Sequence, residues 1–148
     1  MTPRPVAVHP AAPTRRSEWC LTSIERSLPF LRRQLTALLT TSGLSEDDSY
    51  DLLLAVCEAA SNAVEHAQGS SEPFFDVLAE LGPTTVVVTV RDHGQWLAPT
   101  VSAFRGRGLQ MMRLLADTTV TTSASGTTVV IRALGVVTAG AERTERAS

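Results

Sequence analysis

The sequence has no lysine: all thirteen basic residues are arginine. This excludes a phosphate-binding loop that closes on a lysine and the strand lysine of eukaryote-like protein kinases, since both place an ammonium group on nucleotide phosphates. Net charge is also small. A formal charge of -2 and an isoelectric point near 5.9 provide no clustered positive field for a nucleic-acid backbone or an anionic membrane surface. No apolar run approaches the roughly 18 residues of a membrane helix. The Pro-rich start MTPRPVAVHPAAPTRR lacks the apolar stretch of a secretory signal, so a cytoplasmic location is expected. Cysteine is limited to Cys20 and Cys57, which have neither metal-ligand nor redox spacing. Cys57 lies in an apolar helical run, where a buried thiol is ordinary. The three histidines are widely separated, and neither a metal-ligand cluster nor a nucleophile and base pair can be assigned.

What is present suits one domain with a sizeable core: 148 residues, 43% of them hydrophobic. Residues 1–17, with four of the eight prolines, and residues 135–148 read as mobile tails around a folded unit over residues 18–134. Ile24, Leu28, Leu31, Leu35, Leu38 and Leu39 recur at helical spacing and predict an amphipathic helix to about residue 40, with Pro29 a kink or a late start. Gly43 ends it. Ser45 is then a good N-cap, with Asp47 and Asp48 in the first turn of a second helix running to about residue 68, where Gly69 supplies the stop. FFDVLAEL and TTVVVTV, joined by Gly82 and Pro83, predict a hairpin. After the loop DHGQWLAPTVSAFRGRG, a short helix over about residues 108–116 carries Leu109, Met112, Leu115 and Ala116 on one side. Strands over about residues 118–122 and 127–133 flank a Ser-Gly turn. Hairpins make antiparallel sheets, so the order predicts an α+β fold: a two-layer α/β sandwich, mostly antiparallel, with helices on one face.

The second helix, YDLLLAVCEAASNAVEHA, is apolar almost all round, and its polar exceptions carry information. Glu58 and Asn62 lie one turn apart on one face, which Glu65 and His66 continue. They either bond each other and nearby backbone or line a wet site, because a carboxylate in a buried run needs a partner or water. At the end of VVVTV, Asp92 offers an acceptor-only side chain and Gly94 allows a close approach to the backbone. The pair reads as a plain turn or as a site for the exocyclic amine of a flat base. Gly106, Arg107, Gly108 and Leu109 open a helix whose N-terminus favours an anion, or they form a flexible connection. Arg105 and Arg107 either meet phosphate or are solvated. Trp96 covers a base or packs in the core. Gly126, Thr127 and Thr128 add hydroxyls near the sheet's rim, where threonine is common in any case.

The order E-x-x-x-N on a helix, D-x-G after a strand, G-x-G-L opening a later helix and G-T before a final strand resembles the GHKL superfamily of histidine kinase-like ATPases. CEAASNAVEHA, VRDHGQW, GRGLQMMRLLAD and GTTVVI together are similar to its anti-sigma factor serine/threonine kinase branch over roughly residues 18–134. The resemblance implies a Bergerat-type ATP-binding fold that binds ATP and Mg²⁺. It implies Glu58 as general base, Asn62 as the Mg²⁺ ligand, and Asp92 as partner of the adenine amino group, with Gly94 against the base. It further implies Gly106 and Gly108 around the phosphates, within the stretch that includes Arg107 and Leu109, and Thr127 near the adenine. His66 matches a histidine often found after the asparagine motif. The implied partners are a STAS-domain anti-anti-sigma factor and an RNA polymerase sigma factor, and the family usually forms a homodimer. Where many members read D-x-G-x-G-F, this chain has Asp92-His93-Gly94-Gln95-Trp96-Leu97, without the second glycine. That departure keeps open a second expectation, a catalytically inactive ATP-binding regulator.

Overall fold

Side-chain alternation builds the sheet. In the computed structural model, which describes residues 14–67, 73–93, 112 and 114–134, Phe75, Val77, Ala79 and Leu81 of strand β2 (Phe74–Leu81) are buried. Their neighbours Phe74, Asp76, Leu78 and Glu80 turn to the opposite face. Strand β3 (Val86–Asp92) repeats the pattern, burying Val86, Val88, Val90 and Asp92. The two form the expected hairpin, closed by a bond from the Gly82 N–H to the Thr85 carbonyl at 2.8 Å. Thr84 and Thr85 belong to this turn, so β3 starts later and ends later than TTVVVTV predicts.

Strand β4 (Asp117–Ser123) and strand β5 (Gly126–Arg132) form a second antiparallel hairpin around Ala124 and Ser125. Strand β5 pairs with β3 from Val87↔Arg132 to Asp92↔Thr127, which sets the open end of the first hairpin beside the turn of the second. Strand β1 (Arg15–Thr22) pairs with β2 from Arg15↔Leu81 to Thr22↔Phe74. The sheet is antiparallel throughout, in the order β1-β2-β3-β5-β4.

Strand β1 corrects the sequence reading, which starts the fold with a helix and assigns residues 1–17 to a tail. Only Ser17, Trp19 and Leu21 of β1 are half-buried, with Glu18 and Cys20 exposed between them. So short an alternation gains its strand form from pairing with β2 rather than from its own pattern.

Helix α1 (Ser27–Leu39) and helix α2 (Glu46–His66) form the second layer on one face, with α2 against β2, β3 and β5 and α1 against α2. This is the predicted two-layer α+β sandwich. Pro29 marks a late start: it occupies the first turn of α1, where a backbone N–H has no intrahelical partner to lose. Leu31, Leu35 and Leu39 of α1 meet Leu52, Leu53 and Val56 of α2 in the core. Met112 and Ala116 are buried as the third predicted helix requires, and the Thr118 hydroxyl donates to their carbonyls at 3.2 and 3.3 Å. Leu109 lies outside the described residues.

The predicted N-cap is formed. Ser45 has extended backbone and its hydroxyl accepts from the Asp48 N–H at 3.1 Å, with Glu46, Asp47 and Asp48 at the positive end of the helix. Replacement Ser45→Ala is expected to lower stability by about 1 kcal/mol in urea denaturation, with an unchanged slope.

Candidate functional site

Helix α2 can lie close to the sheet because Ala55, Ala59, Ala60 and Ala63 fill its buried face. Glu58, Asn62 and His66 follow at successive turns, each half-buried or more, whereas Glu65, on the same side of the helix, is exposed. Asn62 is 6% exposed. Among the described residues neither its amide nor the Glu58 carboxylate has a hydrogen-bond partner, so the two do not simply satisfy each other. Burial lowers the pKa of His66 from 6.5, and the negative field of Asp92 opposes the shift. The last turn of α2 therefore lies within electrostatic reach of the end of β3.

That strand end holds the second half of the site. Asp92 is 5% exposed, and its Oδ1 accepts the Thr127 N–H at 3.2 Å. Thr127 is 1% exposed, yet among the described residues its buried Oγ1 has no hydrogen-bond partner. Such an orphaned hydroxyl is destabilising by about 1–3 kcal/mol unless something else bonds to it.

Gly126 makes this contact possible. Its φ is +142°, and a Cβ there would lie 2.0 Å from the Asp92 carbonyl oxygen and 3.0 Å from the His93 Cα. Any larger residue would push β5 off β3 at the point where Thr127 meets Asp92. The sequence reading names Gly126 only as the first residue of a Gly-Thr-Thr run, and its tight turn after Ala124-Ser125 was the available signal.

A buried carboxylate bonded to one backbone N–H, a hydroxyl in need of a partner, and an amide and a carboxylate one and two turns along a facing helix suit a polar, planar ligand carrying N–H donors. Asp92 and Thr127 thus meet, and His66 comes near them. Gly94, Trp96, Arg105, Gly106, Arg107, Gly108 and Leu109 lie outside the described residues.

A family model for the histidine kinase-like ATPase domain matches residues 21–133. The chain belongs to this family. The solved structure of the RsbU and RsbW domains of Rv1364c from Mycobacterium tuberculosis is similar, at 27% sequence identity and a TM-score of 0.66 over 82% of this chain. This chain spans 33% of the length of that one. Both findings agree with the anti-sigma factor kinase branch that the motifs resemble. Histidine kinase-like ATPase domains bind ATP, usually with Mg²⁺. The residues here fit that use: the orphaned Thr127 hydroxyl and buried Asp92 suit an adenine edge, and the Asn62 amide oxygen is a hard donor suited to Mg²⁺.

The cysteines lie apart from this chemistry. Desolvation, followed by a hydrogen bond and the charge of Asp76, raises the pKa of Cys20. Burial raises that of Cys57 against the field of Arg32, with Glu58 adding to the rise. Both stay thiols at neutral pH.

Two outcomes follow for this histidine kinase-like domain. Gly126→Ala is expected to destabilise the fold by about 2–4 kcal/mol in chemical denaturation, since it combines an unfavourable φ with a backbone collision. His66 should titrate by NMR with a midpoint below 6.5. The unfolded chain then binds more protons, so the His66 contribution is present above pH 6.5 and lost as pH falls through the folded midpoint. In His66→Gln this part of the pH dependence should vanish.

Proposed function

We propose that this chain is an ATP-dependent anti-sigma factor serine/threonine kinase that acts by partner switching. The observation that carries the reading is the buried pair, at the end of β3, of Asp92 and a Thr127 hydroxyl with no partner among the described residues, faced by the Glu58, Asn62 and His66 stripe of α2. Asp92 accepts from the adenine amino group, and Thr127 bonds the same edge of the base directly or through water. Asn62 offers its amide oxygen to Mg²⁺, which would neutralise charge on the phosphates. Gly94, Gly106, Arg107, Gly108 and Leu109 are proposed to complete the nucleotide site, with the backbone N–H groups at Gly106 and Gly108 taking the phosphates.

Glu58 receives the proton of a serine or threonine hydroxyl on the partner protein. That oxygen bonds to the γ-phosphorus as the bond from phosphorus to the ADP oxygen breaks. Catalysis of this kind is mainly positioning and charge stabilisation, which a carboxylate without a competing partner among the described residues can support. The acceptor is a STAS-domain anti-anti-sigma factor, and its phosphorylation releases the kinase to hold a sigma factor. The work is cytoplasmic, by a homodimer that contacts neither nucleic acid nor membrane. Among the described residues no helix is long and apolar enough to cross a membrane.

The missing second glycine after Asp92 favours one rival, a regulator that binds ATP and its protein partner without transferring phosphate. Labelled phosphate transfer from ATP and Mg²⁺ to STAS-domain proteins of the same genome separates the two. Under the kinase reading a partner serine or threonine is labelled, Glu58→Ala lowers the rate by about 100-fold or more with ATP binding retained, and Asn62→Ala removes transfer. ATP binding without transfer to any candidate would favour the regulator.

A further inference from the structure

His93 is the middle residue of the D-x-G motif, and the site described above does not use it. Because successive strand residues point to opposite faces, Asp92 faces α2 while His93 faces the other side of the sheet. There its Nε2 lies 3.1 Å from Asp76 Oδ2, and its ring packs on Phe74 with centroids 4.9 Å apart at 56°. The His93 side chain is only 15% exposed. Asp76 is itself held in register on β2, between Cys20 of β1 and Arg91 of β3. The contact is thus a diagonal cross-strand pair that ties the residue just after β3 to the neighbouring strand.

We infer that His93 is a positioning residue for the nucleotide site: anchored on Asp76 and Phe74 behind the sheet, it holds the strand end that presents Asp92 to the base. The inference rests on the reading of Asp92 as the adenine partner. Two constraints meet at one peptide unit. From one side Gly126 lets β5 reach the Asp92 carbonyl and the His93 Cα. From the other, Asp76 and Phe74 fix the His93 ring. A carboxylate that recognises an exocyclic amine by hydrogen bonding is sensitive to sub-ångström displacement, so loosening its backbone weakens recognition as well as affinity. A residue that supports only the sheet would change stability and leave base selectivity alone.

The test measures ATP and GTP dissociation constants of the full chain by calorimetry for wild type, His93→Ala, His93→Gln, Asp76→Ala, the His93→Ala/Asp76→Ala double variant and Asp92→Asn, with melting temperatures alongside. His93→Ala is expected to weaken ATP about tenfold and to lower the preference for ATP over GTP by a similar factor. Asp76→Ala should have a comparable effect, and the double variant should be little worse than either single one. His93→Gln, whose amide can still donate to Asp76, should recover most of the selectivity. Unchanged ATP affinity and selectivity in His93→Ala, with Asp92→Asn strongly impaired, would overturn the inference while leaving the ATP reading intact. A lowered melting temperature with unchanged selectivity would likewise reduce His93 to a structural role. If Asp92→Asn binds ATP as wild type does, Asp92 does not read the base, and the inference falls with that assignment.

Discussion

The site depends on how closely β5 approaches the end of β3. Gly126 has no Cβ and adopts a φ open to glycine, which lets the Asp92 carbonyl occupy space that any other residue would fill. That approach brings the Thr127 N–H to the Asp92 carboxylate and leaves the Thr127 hydroxyl enclosed beside it. The hairpin turn at Ala124-Ser125 and the register from Val87↔Arg132 to Asp92↔Thr127 keep this meeting point at one end of the sheet. A shift of one residue would send Thr127 to the opposite face and remove the buried donor from Asp92.

Helix α2 answers that sheet end from above. Its alanines permit close packing, so a stripe of Glu58, Asn62 and His66 can run within a largely buried helix. Such polar groups are tolerated in a core when they bond to one another or border a solvated site. Among the described residues Glu58 and Asn62 have no such partner, and His66 senses the charge of Asp92. The core therefore ends where the candidate ligand site begins, and the same helix serves both.

Much of this was legible in order along the chain. The Ser45 cap, the two hairpins, the leucine stripe of α1 and the pairing of Glu58 with Asn62 on one helix face follow from local rules of capping, turn chemistry and periodicity. Strand β1 was not, because Ser17, Trp19 and Leu21 make too short and too weakly apolar an alternation to stand out. His93 was passed over as the middle of a turn motif, since nothing local says that its ring reaches back to Asp76 seventeen residues earlier.

The sequence by itself determined which residue types could do chemistry and on what kind of element each sits: an acid and an amide on a buried helix, an acid at a strand end, a threonine after a glycine. Those are properties of spacing and propensity, which act over a few residues. Only the tertiary structure decided that β5 lies beside β3 rather than at an edge, that Asp92 meets Thr127 thirty-five residues later, and that His93 is fastened behind them. Those choices arise from strand order and register, which are settled by burying the whole sheet against α2 rather than by any one segment.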